Sequence, residues 1–229
     1  MMIGLNKKPL LLFMLLAMLT VALSGCGTAV KEQQAQKLLE KKYGERFSVS
    51  VDKLQELGSG YYTAKAYSIQ YPDMPFSVNV DNDGKNFSDN YVARRVCSRI
   101  EEQVYSNIHA TKGKLLVHVE AMAHGHGLDD PDMTIPDFVN MNPSNRFSIH
   151  VFSSSAEPSG GNIQKLLSGL ECLPGGTIYI YSTSDPTVSK MQKYCTETDT
   201  PVSEHIEIKG DCVYAEFPFA YGELLGRCQ

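Results

Sequence analysis

The densest group of side chains able to do chemistry in this 229-residue chain is the run His124-Gly125-His126-Gly127-Leu128-Asp129-Asp130-Pro131-Asp132. Two imidazoles one residue apart at the end of a strand-like run can face one metal ion. A nearby carboxylate, Asp129 first, can complete the shell. Such a centre would activate water for hydrolysis. The same Gly-spaced run also suits a plain turn in which the acids are simply solvated. His118, His150 and His205 fall inside strand-like patterns. Asp81-Asn82-Asp83-Gly84 has a calcium-loop flavour. It lacks the Gly at position six and the Glu at position twelve of an EF-hand, and it reads as a turn.

The His124 run resembles the His-x-His-x-Asp-His motif of metallo-β-lactamase-like hydrolases. It departs where Leu128 stands in place of the Asp and Asp129 in place of the final His. Two other catalytic signatures are absent from the sequence. No Gly-x-Ser-x-Gly elbow is present, and no Gly-rich segment ends in Lys-Ser or Lys-Thr after a strand. Ser153-Ser154-Ser155 and Ser182-Thr183-Ser184 sit where they would cap the helices that follow.

Cysteine is the second reactive type, at positions 26, 97, 172, 195, 212 and 228. No Cys-x-x-Cys pair occurs, which speaks against a thioredoxin-like site or a zinc knuckle. If Cys26 is used elsewhere, five remain, enough for two disulfides and one leftover thiol. Cys172, Cys195, Cys212 and Cys228 cluster in the C-terminal half and are the expected disulfide partners. Cys97 is the expected free thiol. Buried thiols acting as small hydrophobes are the equal alternative.

Cys26 has its own context. Lys7-Lys8 precede an apolar run from Leu10 to Leu23, which is shorter than the roughly 20 residues a spanning helix needs. Leu23-Ser24-Gly25-Cys26 then resembles the lipobox of bacterial lipoproteins. The resemblance implies cleavage before Cys26 and covalent diacylglycerol and N-acyl lipid on its thiol, with no other cofactor. It further implies a domain on the extracytoplasmic face of the cell membrane, since two or more acyl chains anchor stably where one is marginal.

Without residues 1–25, 204 residues remain, carrying 19 Lys and Arg against 26 Asp and Glu. A net charge near −7 suits neither nucleic acid nor an anionic lipid surface as a partner. The longest basic feature is Arg94-Arg95 with Arg99 a turn later.

The elements that must position these groups follow from periodicity. Residues 28–42 carry a helical stripe that Gly44 ends. Phe47–Val51, Tyr61–Ile69 and Phe76–Val80 alternate with period two and predict three antiparallel strands, with Tyr71–Pro75 breaking the run. Ser88 opens a helix capped by Asp89 or Asn90 and reaching about His109, long enough to cover that sheet. A strand is expected over Lys114–Ala123, either completing the first sheet or starting a second, then a loop over Gly125–Asn145. Strands at 146–152, 177–181, 205–208 and 212–217 alternate with helices at 162–171 and 185–194.

The fold class expected is α+β: a small antiparallel sheet with covering helices, then an α/β-like half. The expected division is 1–25 leader, 26–123 N-terminal unit, 124–145 long loop and 146–229 C-terminal unit. Leu39-Glu40-Lys41-Lys42-Tyr43-Gly44-Glu45 and Asp89-Asn90-Tyr91 are similar to small uncharacterised lipoproteins of Gram-positive bacteria. The functional expectation is a membrane-anchored, non-enzymatic binding domain for an envelope protein or other ligand. The alternative is a metal-dependent hydrolase built on His124 and His126.

Overall fold

The computed structural model describes residues 27–51, 60–108, 115–122, 127–154, 160–199, 201–202, 213–221 and 223–224. Residues 1–25, Cys26 and the strand expected at 205–208 lie outside these residues. Helix α1 occupies residues 27–43. Its stripe buries Ala35 and Leu39 completely. Gly44, at φ 70°, turns the chain out of the helix while its N–H returns to the Glu40 carbonyl at 2.9 Å. Glycine meets no Cβ penalty in that conformation.

Four antiparallel strands follow: β1 (Phe47–Val51), β2 (Tyr61–Ser68), β3 (Tyr71–Asp81) and β4 (Phe87–Asp89), ordered β1-β2-β3-β4. Alternation sends Tyr62, Ala64 and Ala66 from β2, and Phe76, Val78 and Val80 from β3, into one core with α1. Phe47, Phe76 and Tyr91 meet there ring against ring, with centroids 4.7–5.7 Å apart.

Two expectations are corrected here. The Tyr71–Pro75 stretch does not break the sheet but begins β3. Pro72 and Pro75 are tolerated because they fall where the β2–β3 register shifts, and because β4 pairs only with Val78–Val80. A missing N–H is harmless where no ladder bond is called for. Ser88 does not open a helix; it lies in β4, and helix α2 spans Tyr91–Ile108.

The second sheet has the order β5-β6-β7-β8-β9. Its strands are β5 (Leu115–Ala121), β6 (Phe147–Ser153), β7 (Gly176–Ser182), β8 (Val213–Ala220) and β9 (Glu223–Leu224). Strands β6 and β7 are parallel, joined through helix α4 (Gly160–Leu166), and the other pairs are antiparallel. Helix α3 (Ile135–Met141) lies inside the stretch expected to be loop, and α5 (Asp185–Glu197) precedes β8. Thr134 caps α3 by accepting the Asp137 N–H at 3.2 Å.

Helix α2 does not cover the first sheet. Val92, Val96, Ile100 and Val104 join Val117, Val119, Ile149, Val151, Ile178 and Ile180 in the core of the second sheet. A helical stripe records that a face is apolar, not which of two sheets it meets. The opposite face of the second sheet packs Leu116, Phe152 and Tyr181 against Val188, Met191 and Cys195 of α5. The architecture is α+β, with one antiparallel sheet and one mixed sheet. Among the described residues, no helix is long and apolar enough to cross a membrane.

Candidate functional site

His124 and His126 lie outside the described residues. Asp129 is exposed, one residue beyond Leu128, whose carbonyl accepts Tyr43 OH at 3.3 Å. No group of three His, Cys, Asp or Glu side chains among the described residues is placed to hold a metal ion. Cys97, Cys172 and Cys195 are free thiols, while Cys212 and Cys228 lie outside the described residues. The disulfides expected among Cys172, Cys195, Cys212 and Cys228 do not join Cys172 to Cys195. Cys172 packs with the core under α2, and Cys195 packs under α5 on the other face of the sheet.

The structure assembles a different group. Strand β5 is an edge of its sheet, and an open edge leaves backbone N–H and C=O groups unpaired. Side chains of α2 fill them. Arg94 Nη1 donates to the Val119 carbonyl at 2.8 Å, Glu101 Oε1 accepts the Val119 N–H at 2.9 Å, and Tyr105 OH accepts the Val117 N–H at 2.8 Å. Glu101 then reaches round the edge to the face under α5. There its Oε1 lies 3.4 Å from His118 Nδ1. His118 Nε2 is 3.7 Å from Glu120 Oε1, and Glu120 Oε2 is 3.5 Å from His150 Nε2. His150 Nδ1 meets Tyr181 OH at 3.1 Å, and its ring stacks on Tyr179 at 4.9 Å.

A chain of carboxylate, imidazole, carboxylate, imidazole and phenol therefore crosses β5, β6 and β7. Period-two geometry is the reason: His118 and Glu120 share a face, and the register sets His118 opposite His150 and His150 opposite Tyr179. Burial, aided by Arg94 and His150, holds His118 well below the usual histidine range. Burial alone would raise Glu120. The facing His150 imidazole, with the Val202 N–H and Arg94, outweighs it and holds the carboxyl low.

The array also ties down the segment after α5. Glu120 Oε1 accepts the Val202 N–H at 2.6 Å, and Asp199 accepts Asn90 Nδ2 at 2.9 Å and lies 3.9 Å from Arg94 Nε. His118 keeps 10% of its side-chain surface and His150 2%. Imidazoles so covered, with carboxylates already engaged, act as a polar clamp between α2, the sheet, Asp199 and Val202. The basic run serves the same interior purpose. Arg95 stacks on the Tyr71 ring at 3.6 Å, and Arg99 donates to the Pro131 and Met133 carbonyls at 2.9 and 3.0 Å.

A second feature opens to solvent. Tyr61, Asn79, Asp81, Asn86, Phe87 and Ser88 line a depression of about 440 Å³, which Asn79 and Ser88 meet from the outer face of the first sheet and Phe87, opposite Val80, from the core side of the edge strand β4. Periodicity alone gave no signal for it, because its residues come from three strands whose register the sequence does not state. The turn at Asp81–Gly84 was the part of it visible beforehand, and it does form a turn: the Gly84 N–H donates to the Asp81 carbonyl at 2.9 Å.

No protein-family model matches the chain, and no curated protein is a significant match. A solved structure does match: a DUF5037 family protein from Ruminococcus gnavus ATCC 29149. It is 16% identical, is covered over 94% of its length by 86% of this chain, and has a TM-score of 0.62. A likeness at that identity shows a shared fold, and the α+β architecture described above is what the two proteins have in common.

Proposed function

We propose that this chain is a lipid-anchored binding domain on the extracytoplasmic face of the cell membrane. The observation that carries the reading is Leu23-Ser24-Gly25-Cys26 behind Lys7-Lys8 and an apolar run. Each part has its own role: charge at the entry, an apolar stretch too short to stay as a span, and small residues before the thiol. Helix α1 supports it. Residues 27–43 follow Cys26 directly, and a helix of that length spans about 25 Å. Lipid on Cys26 would hold the sheets within about that distance of the bilayer.

Binding rather than catalysis is favoured by how the two features are arranged. The ionisable array is spent on internal partners, while the open depression is lined by two amides, a hydroxyl, a carboxylate and the rings of Tyr61 and Phe87. Metabolic labelling with a fatty-acid analogue tests the anchor. Wild type should carry label, Cys26→Ser none, and the variant should persist with residues 1–25 attached or be released after cutting elsewhere. Equal labelling of the two forms would overturn the assignment. In cells stripped of their wall, added protease should reach residues 27–229.

A further inference from the structure

The register of the first sheet sets Tyr61 opposite Asp81, Thr63 opposite Asn79, and Asn79 opposite Ser88. Directly opposed side chains lie about 5 Å apart. These residues point away from the core face that carries Tyr62, Ala64, Val78 and Val80. Farther along the same outer face, Lys65 Nζ and Tyr67 OH donate to the Glu197 carbonyl at 2.6 and 3.2 Å. The end of α5 thus meets this face at Lys65 and Tyr67, and the depression lies at the other end of β2, beside Tyr61.

Its hydrogen-bonding groups are only partly used. Asn79 Oδ1 accepts Thr63 Oγ1 at 2.7 Å, whereas Asn79 Nδ2 and the Ser88 hydroxyl make no hydrogen bond among the described residues. Asp81 Oδ2 accepts both the N–H and the Nδ2 of Asn86, at 3.0 and 2.6 Å. Asp81 Oδ1 is shielded and has no donor. Lys85, the cation of the adjoining turn, is held by Asp83 at 2.8 Å. Tyr61 keeps half of its surface exposed beside these groups.

The set selects a ligand class by exclusion. An anion would meet Asp81 and Asp83 with Lys85 already engaged. A purely apolar ligand would strand the Asn79 amide and the Ser88 hydroxyl, at about 1–3 kcal/mol for each one left unpaired. A metal ion would need a cluster of charged ligands, and no such cluster is present among the described residues. A neutral polyhydroxyl ring satisfies every requirement. Its hydroxyls both donate and accept, and its C–H face packs on a phenol ring. We propose that this depression binds a neutral saccharide, roughly one or two pyranose rings given its place in the usual 300–1,000 Å³ range of small-molecule sites. The proposal rests on the reading of the chain as a binding domain and names its ligand class.

The test uses the full chain, purified from membranes in an amine-oxide detergent that contains no sugar. Cellobiose, maltose, lactose and N,N′-diacetylchitobiose are titrated by calorimetry. At least one should bind with a dissociation constant of about 1 mM or tighter. Tyr61→Ala and Asn79→Ala should each weaken it about tenfold or more. If Tyr61→Ala fails to fold, Asn79→Ala and Ser88→Ala decide, since both trim an outer-face polar group and leave the core intact. Binding of the acetylated sugar alone would point to envelope glycan, and binding of the others to free sugar. Binding of none of the four, or binding unchanged in all the variants, would overturn the proposal. The mass of the N-terminal peptide from the same preparation reports lipid on Cys26, so failure of the anchor and failure of the site are read separately.

Discussion

Glu120 shows how a single side chain can carry several contacts at once. One oxygen takes the Val202 N–H and lies near His118, and the other faces His150. The cysteines around this group illustrate the opposite behaviour, in which burial removes reactivity. Burial pushes the thiols of Cys97 and Cys195 up to about 12, with Glu101 and Glu120 adding to it and Arg94 opposing. At pH 8 only about one in ten thousand of such thiols is the reactive thiolate. Cys172 is less covered, and its thiol is raised without reaching that extreme. Iodoacetamide added to the folded protein at pH 8 should therefore modify Cys172 well before Cys97 or Cys195. Denaturant should make all three react at similar rates. Peptide-resolved mass spectrometry follows each site, and equal rates in the folded state would contradict the burial argument.

At the scale of the element, the close pairing of β6 with β7 rests on a residue with no side chain. Gly176 faces Phe147 in the parallel register, and a Cβ there would run into the Phe147 backbone. Backbone cannot step aside as a flexible side chain can. Gly176→Ala should cost about 1–3 kcal/mol or more, seen as a lower urea midpoint with an unchanged slope. An unaltered midpoint would mean the strands can separate locally without loss. That glycine also marks what sequence could and could not reveal. Local signals were legible: the alternation in β1 and β2, the stripe of α1 with its glycine stop, and the apolar runs of β5 to β8. Pairings between distant segments were not. The two-sheet division, the edge position of β5 and the pairing of β4 all depend on register, and a sequence pattern records only which face is apolar. The same limit applied to chemistry. His118 and His150 were visible as histidines in strands, but only the His118–His150 register and the approach of α2 bring Glu101, Glu120 and Tyr181 to them. Helix α3 did carry a readable signal, Thr134 followed three residues later by Asp137, hidden by the Gly- and Pro-rich surroundings.

Over the whole molecule, the array and its neighbours join parts that are far apart in sequence. Asp199 links Asn90 and Arg94, Lys65 and Tyr67 reach Glu197, and Glu120 holds Val202. Stability of the assembly should therefore follow the protonation of the groups between them. His118 in the folded chain titrates well below the ordinary value of 6.5, chiefly because it is buried, with Arg94 and His150 acting in the same direction. Between that low value and 6.5 the unfolded chain binds a proton that the folded chain refuses, so stability falls as pH falls through this window. Glu120 acts with the same sign lower down. Its carboxyl lies below the ordinary 4.5, so its contribution is present above that pH and lost as pH falls through the lowered value. Arg94, Glu101, Asp199, Cys97 and Cys195 face the same group. Of these, Arg94 opposes a proton on His118 and favours the ionised Glu120. The urea midpoint should thus drop between pH 7.5 and 5, and drop again below 4.5. In His118→Gln the upper fall should shrink while the lower one persists, whatever the variant's absolute stability, because only the upper one belongs to an imidazole at that position. Hydrogen exchange at the Val202 amide adds a local readout, since its acceptor is Glu120 itself. Once intrinsic exchange is corrected for pH, its protection should decline with the lower transition. A midpoint independent of pH, or a His118→Gln profile that parallels wild type throughout, would show that the array does not set the acid stability of the fold.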